Sequence, residues 1–97
     1  MIPVRWTQIA LYDLQRISLY IEQQRNLATA NRVCRILYDA IQLLRRFPLS
    51  GKAGIEEGTR ELVIASLPYI VVYRVLNPDA IQILRIWHAA QERSEHT

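Results

Sequence analysis

Three arginines stand inside segments that otherwise have the composition of β-strands, and they are the residues best placed to bind a partner or stabilise a reacting group. Arg60, Arg74 and Arg85 fall one to a segment. A charge within an apolar strand costs free energy unless it is paired or functional. Two interpretations follow. In the first, the arginines are structural: Glu61 or Asp79 pairs with one of them, or their stems lie along an edge with the charged heads in water. In the second, the three arginines belong to a functional or partner-binding surface.

Strand alternation predicts which residues share a face with these arginines. Arg74 is predicted to share a face with Ile70 and Val72, and Arg85 with Ile83 and Trp87. Whether the two faces coincide depends on the register between the strands. Because arginine and tryptophan dominate interface hot spots, the predicted partner-binding set is Arg60, Arg74, Arg85 and Trp87.

His88 ends the last of these segments and follows Trp87. Histidine side chains ordinarily titrate near neutral pH, so in a nuclease this residue could serve as a general base. The catalytic set would then be His88 with Arg60, Arg74 and Arg85. The alternative is a strand-end histidine bonded to backbone, with no catalytic residue in the chain.

No metal or cofactor is expected from the remaining polar residues. Cys34 is the single cysteine, and with His88 and His96 it matches no metal-ligand spacing. The run Gly51-Lys52-Ala53-Gly54 lacks the spacing of a phosphate-binding loop. These observations leave a site built from arginines, an aromatic residue and one histidine.

Two amphipathic helices must position these strands. After a short strand at residues 3–6, Thr7 is predicted to cap a helix that runs to about Gln24, and Asn26 to cap a second helix that runs to Arg46. The apolar stripe of the first is Ala10, Leu14, Ile17 and Ile21, and that of the second is Ala30, Val33, Leu37, Ala40 and Leu44. Asp13, Arg16 and Gln23 fall off the first stripe and are expected to face water.

The second half of the chain has the two-residue period of strands. A loop at residues 48–58 precedes strands at 59–65, 69–76 and 80–88, joined by turns at 66–68 and 77–79. Short links require antiparallel neighbours. The predicted fold is α+β: one domain over residues 1–97, with a small antiparallel β-sheet packed by an N-terminal α-helical hairpin, in the order β-α-α-β-β-β.

Composition and the absence of a targeting pattern point to a cytoplasmic protein with a partner. Hydrophobic residues make up 51% of 97 residues, and the last two strands are apolar at nearly every position. This predicts that the helices cover one sheet face and a partner segment the other. The net charge of +3, with Lys52 the lone lysine, suits an acidic protein or a nucleic acid. There is no signal-peptide pattern and no membrane span.

Several motifs, taken in order, resemble ParE-type toxins of the ParE/RelE toxin–antitoxin superfamily. The resemblance extends over essentially the whole chain. It begins with Trp6-Thr7 and the first helix and continues through Pro48 with Gly51-Lys52. The strands carry the rest, in Thr59-Arg60-Glu61-Leu62, Pro68-Tyr69-Ile70-Val71-Val72-Tyr73-Arg74-Val75 and Ile83-Leu84-Arg85-Ile86-Trp87-His88-Ala89-Ala90.

This resemblance implies a helical hairpin against a small antiparallel sheet, and one of two activities. ParE-type members inhibit DNA gyrase without a known reaction of their own, whereas RelE-type members cut messenger RNA on the ribosome. It also implies a ParD-like antitoxin whose acidic C-terminal segment folds on binding. No cofactor, membrane or direct nucleic-acid specificity is implied.

Residue identities favour the gyrase inhibitor over the ribonuclease. RNA cleavage without a metal needs a base, an acid and cations. Ribonuclease members place an arginine where this chain has Ile70, and they supply lysines or a late tyrosine that it lacks. The chain is therefore predicted not to be an enzyme. A RelE-type ribonuclease and a non-toxic binding homologue stay open as alternatives.

Overall fold

The computed structural model describes residues 2–76 and 80–90. The turn predicted at 77–79, the pairing suggested for Asp79 and the position of His96 lie outside them. The described elements are β1 (Val4–Trp6), α1 (Gln8–Gln24), α2 (Leu27–Leu43), β2 (Lys52–Ala53), β3 (Arg60–Val63), β4 (Tyr69–Leu76) and β5 (Ala80–His88). This confirms the α+β class and the N-terminal helical hairpin.

The five strands form one mixed sheet in the order β1-β5-β4-β3-β2. The strands from β2 to β5 are antiparallel neighbours, as their short links require. β1 pairs in parallel with β5, from Val4 opposite Ile81 to Trp6 opposite Ile83. Nearly the whole chain separates β1 from β5, so no hairpin sets their relative direction. The sequence prediction of an antiparallel sheet holds for the last four strands and omits this parallel pair.

Both helices begin at the predicted capping residues. The hydroxyl oxygen of Thr7 accepts from the Ala10 amide at 3.1 Å, and Oδ1 of Asn26 accepts from the Thr29 amide at 2.7 Å. Each cap satisfies an amide that has no partner within its own helix.

The structure corrects three predictions near the middle of the chain. α2 ends at Leu43 rather than Arg46, because the next amides bond three residues back, as Leu44 does to the Ile41 carbonyl at 3.0 Å. The predicted loop at 48–58 contains β2, which pairs with the start of β3. β3 covers residues 60–63 and is therefore shorter than the predicted strand at 59–65.

The core lies between the helices and one face of the sheet. From the predicted stripes, Ala10, Ile21, Ala30, Val33, Leu37 and Leu44 are buried, while Leu14, Ile17 and Ala40 pack against the core partly buried. The sheet contributes Val71, Tyr73, Ile81 and Ile83, each fully buried. Neither helix in the described ranges is long and apolar enough to cross a membrane.

Candidate functional site

Arg74, Arg85 and Trp87 lie on the same face of the sheet, opposite the helices. Val72 pairs with Arg85, so these two residues share a face, and Arg74 follows Val72 by two positions. Trp87 pairs with Ile70 in the same way. We call this surface the outer face; its members on the three central strands include Glu61, Val63, Ile70, Val72, Arg74, Arg85 and Trp87. The register thus answers the question left open by alternation alone.

A β-bulge in β5 corrects the prediction that Arg85 shares a face with Ile83. Val72 pairs with Arg85 but its neighbour Tyr73 pairs with Ile83, which leaves Leu84 as the extra residue. Because a bulge shifts alternation by one residue, Ile83 turns into the core and is fully buried. Arg85 and Trp87 remain together on the outer face.

Asp13 is buried, which makes the prediction that it faces water wrong. Only 5% of it is exposed, whereas Arg16 and Gln23 are exposed as expected. Its Oδ2 accepts from Nε of Arg85 at 2.8 Å and from the Ile86 amide at 2.9 Å. Its Oδ1 accepts from Nη2 of Arg85 at 3.2 Å. The carboxylate is buried because three donors compensate for its lost hydration.

Asp13 occupies a place at the sheet edge that β1 does not reach. β1 ends at Trp6 opposite Ile83, so β5 has no strand beside it further along. The amide of Thr7 donates to the Ile83 carbonyl at 3.1 Å, and its hydroxyl donates to the Ile83 and Leu84 carbonyls at 3.0 and 3.1 Å. One helical turn and a half later, Asp13 accepts from Ile86. The first half of α1 therefore completes the hydrogen bonding of the β5 edge.

Arg85 is held on two sides. Asp13 binds the guanidinium at the sheet edge, and the guanidinium carbon lies 4.2 Å from the centre of the Trp87 ring. Cation–π contact of this kind favours arginine, whose planar head stacks on an aromatic face. The result is a flat surface of one guanidinium stacked on one indole.

The structure separates Arg60 from the other predicted site residues. Arg60 pairs with Tyr73, so it lies on the face opposite Arg74. Its Nη1 donates to the Gly51 carbonyl at 2.8 Å and to the Leu49 carbonyl at 3.3 Å. This position suits an anchor for the loop after α2. By contrast, the side chain of Arg74 forms no hydrogen bond or ion pair within residues 2–76 and 80–90.

Glu61 pairs with a lysine and not with any of the three strand arginines, so the interpretation that it pairs with one of them is wrong. Glu61 is 6% exposed and forms its ion pair with Lys52, at 3.8 Å. The partner of Arg85 comes instead from α1. The ion pair with Lys52 connects β3 to β2, so the Glu61 carboxylate does not pair with Arg74.

A depression of about 650 Å³ opens between α1 and the end of β5. Its lining consists of Asp13, Arg16, Ile17, Tyr20, Pro68, Tyr69, Arg85, Ile86, Trp87 and His88. His88 packs edge-on against Tyr69 with ring centres 5.5 Å apart. Its Nδ1 accepts from the Ala90 amide at 3.2 Å, which is the backbone-bonded alternative considered for this residue. The depression thus brings His88 near two of the predicted residues, Arg85 and Trp87.

Burial changes the acidity of one residue that lines this depression. It raises the pKa of Tyr69 above its ordinary value of 10.0, and the negative charges of Tyr20 and Cys34 at high pH add to that rise in pKa. The hydroxyl of Tyr69 is therefore a weaker acid than that of an exposed tyrosine. No cluster of three or more histidine, cysteine or acidic residues that could hold a metal occurs in the described part of the chain.

Sequence reasoning missed Asp13, Tyr69 and Tyr20 as neighbours of the site. One signal could have identified Asp13: it lies three residues after Ala10 and four before Ile17, at the border of the buried stripe. A carboxylate at such a border is a candidate partner for an arginine on a neighbouring strand.

Comparison with known proteins identifies the family. Residues 4–93 match the model of the ParE toxin of the type II toxin–antitoxin system parDE. The chain is 42% identical over 89 residues to the candidate toxin Y4kP of Sinorhizobium fredii, covering 92% of this chain and 90% of that one. It is 38% identical over 91 residues to toxin RelE2 of Caulobacter vibrioides, covering 94% and 99%.

The fold agrees with this match. A solved structure of a chromosomal ParDE system from P. aeruginosa superposes with a TM-score of 0.83 at 24% identity, covering 91% of this chain and 96% of that chain. The sequence match spans both helices and all five strands, and the structural match shows the same arrangement. The chain belongs to the ParE toxin family of type II toxin–antitoxin systems, within the ParE/RelE superfamily.

Proposed function

We propose that this protein inhibits DNA gyrase in the bacterial cytoplasm and is neutralised by a ParD-like antitoxin. The observation that carries the proposal is the match to the ParE family over residues 4–93. Gyrase inhibition is what resemblance to ParE-type members implies. The fold similarity to a ParDE system supports the same choice of partner.

The outer face supports a protein-binding role. Arg85 and Trp87 form a stacked pair held by Asp13, and Arg74 lies beside them with no described partner of its own. Arginine and tryptophan are the residue types that most often dominate binding energy. We propose that gyrase contacts Arg74, Arg85 and Trp87. Arg60 supports the loop at 49–51, so its contribution to binding would be indirect.

The chemistry of the site favours an inhibitor that is not an enzyme. Ile70 stands on the outer face and is 9% exposed, at the position where ribonuclease members of the superfamily carry an arginine. Nδ1 of His88 already accepts from a backbone amide, and burial makes the hydroxyl of Tyr69 a weaker acid because it raises the pKa. Neither side chain is therefore well placed for acid–base catalysis.

A RelE-type ribonuclease is the second candidate. It is favoured by the 38% identity to a toxin named RelE2 and by the position of His88 against Tyr69 in a depression that also contains Arg85. Cleavage would need Nε2 of His88 as the base and the arginines as the cations that stabilise the phosphorane. A homologue that binds an antitoxin but is not toxic is the third.

The test is to add the purified chain to gyrase with supercoiled plasmid, and in parallel to a translating extract with labelled messenger. We expect covalent gyrase–DNA complexes and intact messenger. Arg74→Glu should weaken the effect on gyrase at least about tenfold. Arg46→Glu, which makes the same charge change at an exposed position after α2, should not. Cut messenger with unaffected gyrase would select the ribonuclease, and no effect in either assay would select the non-toxic homologue.

A further inference from the structure

A row of polar residues crosses three strands of the outer face on the side where β1 lies. Arg5 of β1 pairs with Gln82 of β5, and Gln82 pairs in turn with Arg74 of β4. Val4 and Trp6, on either side of Arg5, pack against the core. Strand alternation therefore directs Arg5 to the outer face, where it joins Arg74. We call Arg5, Gln82 and Arg74 the polar row.

The positive charge of the polar row is not balanced by neighbouring carboxylates. Two other cations of the outer face have such partners, since Lys52 pairs with Glu61 and Arg85 with Asp13. In the part of the chain that the structure describes, residues 2–76 and 80–90, the side chains of the two arginines of the polar row form no hydrogen bond or ion pair. Positive charge on the outer face is therefore concentrated in the polar row.

The dimensions of the polar row suit an extended anion. Neighbouring strands lie about 4.8 Å apart, so the Cα atoms of Arg5 and Arg74 are roughly 10 Å apart with Gln82 between them. Arg5 is exposed, and Gln82 and Arg74 are half-buried, so all three side chains reach the surface. A single carboxylate would meet one guanidinium group, whereas a polyanion with repeated charges can meet both.

We infer that the polar row binds the phosphodiester backbone of the DNA that gyrase holds. Guanidinium groups bind phosphate oxygens through paired hydrogen bonds, and glutamine amides also donate to the backbone. This inference rests on the proposed function, which brings the toxin to an enzyme with bound DNA. Contacts to the backbone position a protein without reading the base sequence. They therefore agree with the absence of nucleic-acid specificity that the family resemblance implies.

The composition of the polar row favours DNA over a protein surface. The centres of protein–protein interfaces are rich in aromatic residues and poor in charge, whereas protein–DNA interfaces are more polar and more positive. Trp87, with Arg85 stacked on it, provides the first kind of surface. The polar row provides the second kind. The stacked pair thus faces gyrase, Arg5 and Gln82 face its DNA, and Arg74 lies at the border between the two.

The first test measures binding of the toxin to a short DNA duplex alone, so its result does not depend on gyrase. The row variant is Arg5→Gln. The matched control is Arg35→Gln, which removes the same charge from an exposed position on α2. We expect Arg5→Gln to bind the duplex about tenfold more weakly at low salt. The slope of log affinity against log salt should fall by about one, because one phosphate contact is lost. The control should stay within about threefold of the wild type.

The second test measures binding of the toxin to gyrase with and without the same duplex. We expect Arg5→Gln to weaken binding to DNA-loaded gyrase about tenfold and to leave binding to gyrase without DNA within about threefold of the wild type. Urea unfolding shows whether each variant folds. Arg74→Gln, measured on the duplex alone, is the second row variant and should show the same fall in salt slope.

The two tests separate failure of the inference from failure of the proposed function. Unchanged affinity and salt slope of both row variants for the duplex, or no duplex binding by the wild type at low salt, would overturn the inference and leave the proposed function intact. Loss of affinity for gyrase without DNA, with duplex binding unchanged, would make the polar row a protein contact and the inference wrong. A wild-type toxin that binds the duplex but not gyrase would overturn the proposed function and the DNA partner named here.

Discussion

Replacing Asp13 tests whether one buried carboxylate holds the helix to the sheet edge and fixes Arg85. Asp13→Asn keeps the size of the side chain and removes its charge. Its single amide oxygen can serve one or two of the three donors that the carboxylate serves now. The amide nitrogen of the new side chain would face donors of Arg85 or Ile86. Both polar groups would then be left poorly bonded within a site that excludes most water.

The size of the effect follows from the exposure of the two partners. Hydrogen bonds to charged groups contribute about 1.5–3 kcal/mol each, and an unpaired buried charge costs more. The Arg85 side chain is 35% exposed, so water recovers part of what its guanidinium loses. We therefore expect Asp13→Asn to lower the free energy of unfolding by about 2 kcal/mol and Asp13→Ala by about 3 kcal/mol. For a domain of this size the first corresponds to a fall in Tm of about 10 °C.

Arg85→Ala should destabilise the protein at least as much as Asp13→Ala. It leaves a carboxylate that is 5% exposed with the Ile86 amide as its remaining described donor. The double variant should recover part of that loss, since removing both partners leaves no buried charge. A coupling energy of about 1–2 kcal/mol between the two positions is the expected result.

Urea unfolding followed by circular dichroism gives these free energies. Asp39→Asn is the matched control, because Asp39 is an exposed aspartate on α2 and its substitution should change stability by less than about 0.5 kcal/mol. If Asp13→Asn is no more destabilising than this control, or if the double-variant energies simply add, the account of Asp13 given above is wrong.

Three further predictions concern other parts of the fold. Tyr73→Phe should cost about 1–3 kcal/mol, because its buried hydroxyl donates to the Pro48 carbonyl at 2.8 Å and accepts from the Gly51 amide at 2.9 Å; a urea titration that matches wild type would contradict this. Thr7→Ala should lower the free energy of unfolding by about 1–2 kcal/mol, because the Thr7 hydroxyl caps α1 and also donates to the Leu84 carbonyl at the bulge of β5. A smaller loss in a urea titration would mean that only the helix cap contributes. Burial raises the pKa of Tyr69, so ionisation of this residue should destabilise the folded protein at alkaline pH. Its contribution to stability is complete below about pH 10 and is lost as the pH rises through the folded-state pKa. Tyr69→Phe should therefore flatten the alkaline decline in the free energy of unfolding, and an unchanged pH profile would contradict this account.

Local signals were sufficient for most of the fold. The hydroxyl of Thr7 and the amide side chain of Asn26 precede periodic apolar stripes, and both prove to be helix caps. The period of two in the last strands predicts β4 and β5 with the bounds observed. These features depend on residues near each other in sequence, where spacing and backbone preference decide the outcome.

Contacts between residues that are far apart in the chain could not be predicted from such local patterns. Asp13 and Arg85 lie 72 positions apart, and nothing in the spacing of either residue identifies the other as its partner. The bulge at Leu84 adds one residue to β5, so alternation placed Ile83 on the wrong face. The parallel pairing of β1 with β5 likewise depends on the two chain ends meeting.

Register also divides the three strand arginines by role, which residue type alone does not do. Arg60 is committed to the carbonyls of Gly51 and Leu49, on the side of the sheet that faces the core. Arg85 is committed to Asp13 and to the ring of Trp87. Its positive charge is largely balanced by Asp13, so Arg85 presents a flat stacked surface more than a net charge.

Arg74 differs from both. It lies on the outer face beside the Arg85–Trp87 pair without a described carboxylate partner. The charge that an acidic surface would recognise there therefore comes chiefly from Arg74, while shape and apolar area come from Trp87 and Arg85. Substitution of Arg74 should change association rate and salt dependence, whereas substitution of Asp13 should loosen the stacked pair and act through dissociation. The gyrase binding that we propose for the outer face can thus be lost by two separable physical routes, and only one of them is accompanied by a loss of folding stability.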